Sequence, residues 1–140
     1  MIVDASVILS AFLPDEAQAQ AQALIREHVI GQGQLVAPTL LLYEVVNAVV
    51  QAQRRGRISD EQADDILAAF EGLGIALMPV DWQQMLPLAF RFDRSAYDAA
   101  YLALAEATGQ VLITGDRRMF NAVHEHLAWV QWIGEYPLNS

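Results

Sequence analysis

Four carboxylates stand in apolar company along the chain. Asp4 follows Ile2-Val3, Glu44 lies within Leu40–Val50, Asp98 within Tyr97–Ala105, and Asp116 follows Leu112-Ile113-Thr114-Gly115. Each has a purely structural reading. Asp4 and Asp116 suit helix caps. Asp98, third in a helix capped by Ser95, answers the helix dipole. Glu44 can pair with a distant arginine, since a buried unpaired carboxylate costs several kcal/mol. Capping accounts for three of the four singly. It leaves unexplained why two acids follow buried strands while two sit in helices that border the same sheet edge. Carboxylates that converge repel one another, and a divalent cation between them removes the repulsion. Hard oxygen ligands suit Mg²⁺ or Mn²⁺. Such an ion activates water and stabilises charge on a phosphoryl group, so the chemistry suggested is metal-assisted phosphodiester hydrolysis.

The elements that must position these acids alternate between short apolar runs and helical patterns. Strands are predicted at 1–3, 35–37, 75–80, 111–114 and 129–133. Helices are predicted at 7–13, 16–29, 40–54 (capped by Thr39), 60–71 (opened by the capping box Ser59 to Gln62), 82–92, 96–108 and from Asp116 through His126. Pro87 should break or kink the fifth of these. The helix around Glu44 reads as apolar nearly all round, hence buried, with Glu44 and Asn47 on one face. Strands separated by helices imply parallel pairing. The expected fold is α/β, a three-layer sandwich with a mostly parallel five-stranded sheet flanked by helices. Ligands in such sheets sit beyond the carboxyl ends of strands, where the strand order switches. Asp4 and Asp116 occupy such positions.

Composition narrows the function further. A chain of 140 residues with 54% apolar and 18% charged residues is expected to form one domain, residues 1–140, and is not disordered. There is no cysteine, so disulfides and thiolate chemistry are excluded. All eight basic residues are arginine, which removes Schiff-base chemistry and the phosphate-loop lysine together. A net charge of −9 repels nucleic acid over most of the surface, so such a role requires arginine clusters or metal ions. The N-terminus does not read as a signal peptide, and the apolar stretch 35–50 is too short and polar to span a membrane.

At these residues the sequence resembles the PIN-domain nucleases, most closely the small VapC-type toxin ribonucleases of prokaryotic toxin–antitoxin pairs. The matching pieces are Ile2-Val3-Asp4-Ala5-Ser6, Glu44-Val45-Val46-Asn47, the run Tyr97–Ala105, and Leu112–Phe120. Their order and spacing cover nearly the whole chain. The resemblance implies that Asp4, Glu44, Asp98 and Asp116 form the metal-binding and catalytic centre, supported by Ser6, Asn47 and Thr114. It also implies a Mg²⁺- or Mn²⁺-dependent endoribonuclease acting on single-stranded or structured RNA. A homodimer in the cytoplasm, with a cognate antitoxin that blocks the site and no membrane partner, completes the expectation.

The other charged and aromatic residues carry weaker signals. Arg54, Arg55 and Arg57 end a helix, where cations suit the dipole. Arg117 and Arg118 stand at a helix N-terminus, where that explanation has the wrong sign, so they are the better candidates for RNA phosphate contacts. His124 and His126 are two apart and share no helix face, which disfavours zinc. Trp129 and Trp132 read as packing in the last strand. Two other readings fit parts of the same pattern: a non-catalytic interaction or dimerisation module of the same fold, and an aspartyl-phosphate enzyme. The second generally needs a lysine, and this chain has none.

Overall fold

A computed structural model describes residues 1–138. Five short strands, β1 (Ile2–Val3), β2 (Val36–Pro38), β3 (Ala76–Met78), β4 (Leu112–Thr114) and β5 (Val130–Trp132), form one sheet in the order β3-β2-β1-β4-β5. All four pairings are parallel, with Val3 opposite Ile113 and Val36 opposite Ala76. The order reverses between β1 and β4, so the switch point lies where Asp4 and Asp116 leave the sheet.

Among the described residues seven α-helices connect the strands: α1 (Ala5–Phe12), α2 (Ala19–Val29), α3 (Leu40–Arg54), α4 (Asp60–Gly72), α5 (Trp82–Phe92), α6 (Ala96–Thr108) and α7 (Arg117–Val123). Successive strand residues face opposite sides of the sheet. Val3, Ala37 and Ile113 therefore pack with α1–α4, while Ile2, Leu112 and Val130 pack with α5–α7. These two cores make the three layers. In α6 every residue from Ala99 to Ala105 is buried. Four of those seven are alanine, and these small side chains let the helix lie close against β1, β2 and β4.

Several expectations need correction. The second helix begins at Ala19, not Glu16, because Ala17 takes a left-handed φ of 26° and Gln18 supplies the cap through its own amide oxygen. Thr39 makes no side-chain cap; its backbone is already helical. The last helix stops at Val123 rather than His126. Pro87 neither ends nor divides α5. It removes the hydrogen bond to the Gln83 carbonyl, but both residues are exposed, so water can satisfy that oxygen. The helix α3 is not buried all round. Leu41, Val45, Val49 and Ala52 make its core stripe, Glu44 is half-buried, and Leu42, Tyr43 and Asn47 are exposed. Among the described residues no helix is long and apolar enough to cross a membrane.

Candidate active site

The carboxyl edge of the sheet collects the first turns of four helices. Helix α1 leaves β1 there, α3 leaves β2, and α7 leaves β4. Helix α6 starts at the same edge and runs back down before β4 rises. Asp4, Glu44, Asp98 and Asp116 consequently line one small pocket of about 100 Å³, together with Ser6 and Tyr101. Residues up to 112 positions apart meet around a space large enough for a cation and a few waters.

Asp4 is the most enclosed, 7% exposed. It does cap α1, accepting from the Val7 amide at 3.3 Å, but that engages only part of the carboxylate. The Ser6 hydroxyl donates to Oδ1 and the Thr114 hydroxyl to Oδ2. Each hydroxyl is itself oriented by a backbone amide: Gly115 donates to Ser6 Oγ at 2.8 Å and Asp116 to Thr114 Oγ1 at 3.0 Å. The β4–α7 turn is thus latched to Asp4. A Cβ on Gly115 would lie 3.3 Å from both Ser6 Oγ and Ile133 Cγ2, so glycine permits the close approach.

Asp116 caps α7, its Oδ1 accepting from the amides of Arg118 (3.0 Å) and Met119 (3.2 Å). These bonds hold the side chain still and leave Oδ2 for a ligand. Asp98 is the third residue of α6, whose cap is Ser95, and Arg94 stands 3.7 Å away on one side. Glu44 accepts from the Tyr101 hydroxyl at 2.5 Å. Tyr101 lies three residues past Asp98, so the same helix face carries the acid and the group that orients its neighbour. Reading the sequence did not assign Tyr101 a role; its spacing from Asp98 was the available signal.

Burial raises the affinity of three of these acids for protons. It pushes Asp4 up to about 6 against the hydroxyl and amide bonds that favour its charge, with a further small push from Asp116. Glu44 is raised by burial and by the charges of Asp98 and Asp116, with Tyr101 opposing. Asp98 is raised by burial and by Asp116, with Arg94 opposing. A cation among them reverses this cost, since it favours the ionised forms. The donor set fits a small hard cation: carboxylate oxygens only, around a pocket with room for retained water. Among the described residues no three His, Cys, Asp or Glu side chains are grouped closely enough to hold a metal ion as they stand.

The remaining candidates lie elsewhere. Asn47 does not line the acid pocket. It borders an adjoining cleft with Tyr43, Glu44 and Tyr97. Arg117 and Arg118 are exposed beside Asp116, but the Arg117 guanidinium lies over the Trp132 ring, 3.8 Å from its centre. Arg57 is engaged by Asp15 and Glu16, tying the end of α3 to the α1–α2 loop. His124 stacks on Phe120.

The fold and the edge pocket define a class: a parallel α/β sheet with a cluster of carboxylates at its switch point. The PIN domain family matches residues 1–125. Ribonuclease VapC3 of Pyrobaculum aerophilum is 34% identical over 85% of this chain and 91% of its own. Ribonuclease VapC9 of Mycobacterium tuberculosis is 32% identical over 85% of this chain and 87% of its own. In three dimensions the chain is similar to the crystal structure of PAE2754 from Pyrobaculum aerophilum, with TM-score 0.73 and 23% identity over 95% of this chain and 83% of that one. The chain belongs to the PIN-domain family, alongside its VapC-type ribonucleases.

Proposed function

We infer that this protein is a ribonuclease toxin of a toxin–antitoxin pair, a hydrolase of RNA phosphodiester bonds. The observation that carries the reading is the meeting of Asp4, Glu44, Asp98 and Asp116 in one pocket at the sheet's carboxyl edge. We propose these four as the catalytic and metal-holding centre, with Mg²⁺ or Mn²⁺ as the cation and residues 1–140 as one domain. Asp4, Asp98 and Asp116 would hold the ion, and Glu44 would complete the set from α3. A bound divalent cation supplies a more acidic water and neutralises charge on the phosphoryl oxygens.

The chain's own contributions are positional. Ser6 and Thr114 fix both oxygens of Asp4, so the carboxylate needs no reorganisation when substrate arrives. Tyr101 holds one oxygen of Glu44 and leaves the other to take a proton or a ligand. Arg118, which makes no salt bridge among the described residues, is the better of the two arginines for a phosphate contact, because Arg117 is committed to Trp132. The acidic pocket and the net charge of −9 favour a cationic antitoxin segment whose arginine replaces the metal. Action in the cytoplasm as a homodimer completes the proposal.

Purified protein incubated with single-stranded RNA in Mg²⁺, Mn²⁺ or EDTA tests the reading. Cleavage with either cation and none in EDTA is expected. Intact RNA in all three would leave the fold with a non-catalytic role.

A further inference from the structure

We propose that Tyr43, Tyr97 and Asn47 form a nucleobase subsite that receives an unpaired RNA base beside the scissile phosphate; this rests on the ribonuclease reading above. The cleft they border, about 410 Å³, is lined by Leu40, Tyr43, Glu44, Asn47 and Tyr97. Glu44 is a wall of both this cleft and the acid pocket, so the two are contiguous. A nucleotide whose phosphate lies among the carboxylates therefore has its neighbouring base at the cleft.

Among the described residues the two tyrosines have no structural employment. Tyr43 is 67% and Tyr97 63% exposed. Neither belongs to either core, and among the described residues neither hydroxyl makes a hydrogen bond. Tyr101 and Tyr136, by contrast, donate to Glu44 and Glu27. Each exposed ring directly precedes a site acid, Tyr43 before Glu44 and Tyr97 before Asp98, on the opening turns of α3 and α6. The helices that bring the acids to the sheet edge thus bring the rings as well. Asn47 lies four residues past Tyr43 on the same face of α3, and its amide offers both a donor and an acceptor to a base edge. Leu40, three residues before Tyr43, gives the apolar floor.

The charge balance favours the same conclusion. With eight arginines, no lysine and a net charge of −9, contacts to phosphate supply little attraction. Contacts to the bases then have to add to what the cation and Arg118 supply, and stacking on aromatic rings is how proteins obtain such affinity without sequence-wide electrostatics.

The test uses fluorescence anisotropy in Ca²⁺ with two labelled probes, a mixed-sequence octaribonucleotide and the matching abasic ribose-phosphate octamer. Wild type should bind the base-bearing octamer more tightly. Tyr43→Ala and Tyr97→Ala should each weaken that binding by about tenfold and leave abasic binding unchanged. Tyr43→Phe and Tyr97→Phe, which keep the rings, should stay within about twofold of wild type. The subsite is overturned if the alanine variants bind the octamer as wild type does, or if phenylalanine loses as much as alanine. It is also overturned if the alanine variants change only the sedimenting mass, which would make this face a contact between copies. A wild type that binds neither probe overturns the ribonuclease reading and the subsite together.

Discussion

At the scale of single residues, one side chain can satisfy a structural role and a chemical one at once. Asp4 and Asp116 cap helices with their carboxylates and Asp98 stands in the first turn of α6, yet all three line a common pocket. Capping was therefore never an alternative to the site; it is how the site is held. The pH dependence follows from Asp4. Its folded-state value of about 6 exceeds the unfolded 3.8, chiefly through burial rather than through repulsion among the acids. The native state then binds more protons than the unfolded state between these values. Stability without metal should fall as pH rises from about 4 to 6 and level off above, by on the order of 3 kcal/mol from this group. Asp4→Asn should flatten that slope in EDTA melts. At pH 7 it should be more stable than wild type by about 1 kcal/mol, less than the full amount because an amide cannot accept from both hydroxyls. A slope unchanged by the substitution would assign the titration to another group. Glu44→Gln, whose carbonyl still accepts from Tyr101, should likewise melt higher than wild type in EDTA and gain less from added Mg²⁺. A lower melting point would make Glu44 a structural acid.

At the scale of elements, the junctions matter more than the elements themselves. The β4–α7 turn approaches α1 so closely that the Gly115 amide donates to Ser6, and a methyl group on Gly115 would have to displace its neighbours by a few tenths of an ångström. Gly115→Ala should push Ser6 away from Asp4, costing about 1 kcal/mol of stability and raising the Mg²⁺ concentration needed for half-maximal activity by about tenfold. A Mg²⁺ titration of cleavage checks this, and an unchanged midpoint would show that the latch does not position Asp4. Such junctions also mark what was legible in the sequence. Helices α3 and α6 have the bounds their signals gave, and α6 is bracketed by the Ser95 cap and a left-handed Gly109. The start of α2 was not legible, because glutamine is an uncommon cap and Ala17 an uncommon left-handed residue. Exposure of Tyr43 was hidden too, since Leu40–Val50 is apolar enough to look buried on every side. The Tyr101–Glu44 bond joins residues 57 apart on different helices, which no local pattern encodes.

At the scale of the whole molecule, a net charge of −9 surrounds a pocket whose own lining is acidic. Such a surface admits polyanions poorly and welcomes cations, whether a metal ion or an arginine from a partner. A cognate antitoxin that inserts a basic segment should therefore compete with Mn²⁺, and Asp98→Asn should weaken its binding at least tenfold by calorimetry. Affinity indifferent to both would place the antitoxin's contact outside the acid pocket. The reading of the whole chain as a ribonuclease rests on the four carboxylates acting together around a cation. Cleavage of single-stranded RNA at saturating Mg²⁺ by wild type, Asp4→Asn and Asp98→Asn, each shown by circular dichroism to be folded, tests it most directly. Each substitution removes one charge without opening a cavity and should lower the rate by about 100-fold or more. Near-wild-type cleavage by both folded variants would contradict the four-carboxylate centre.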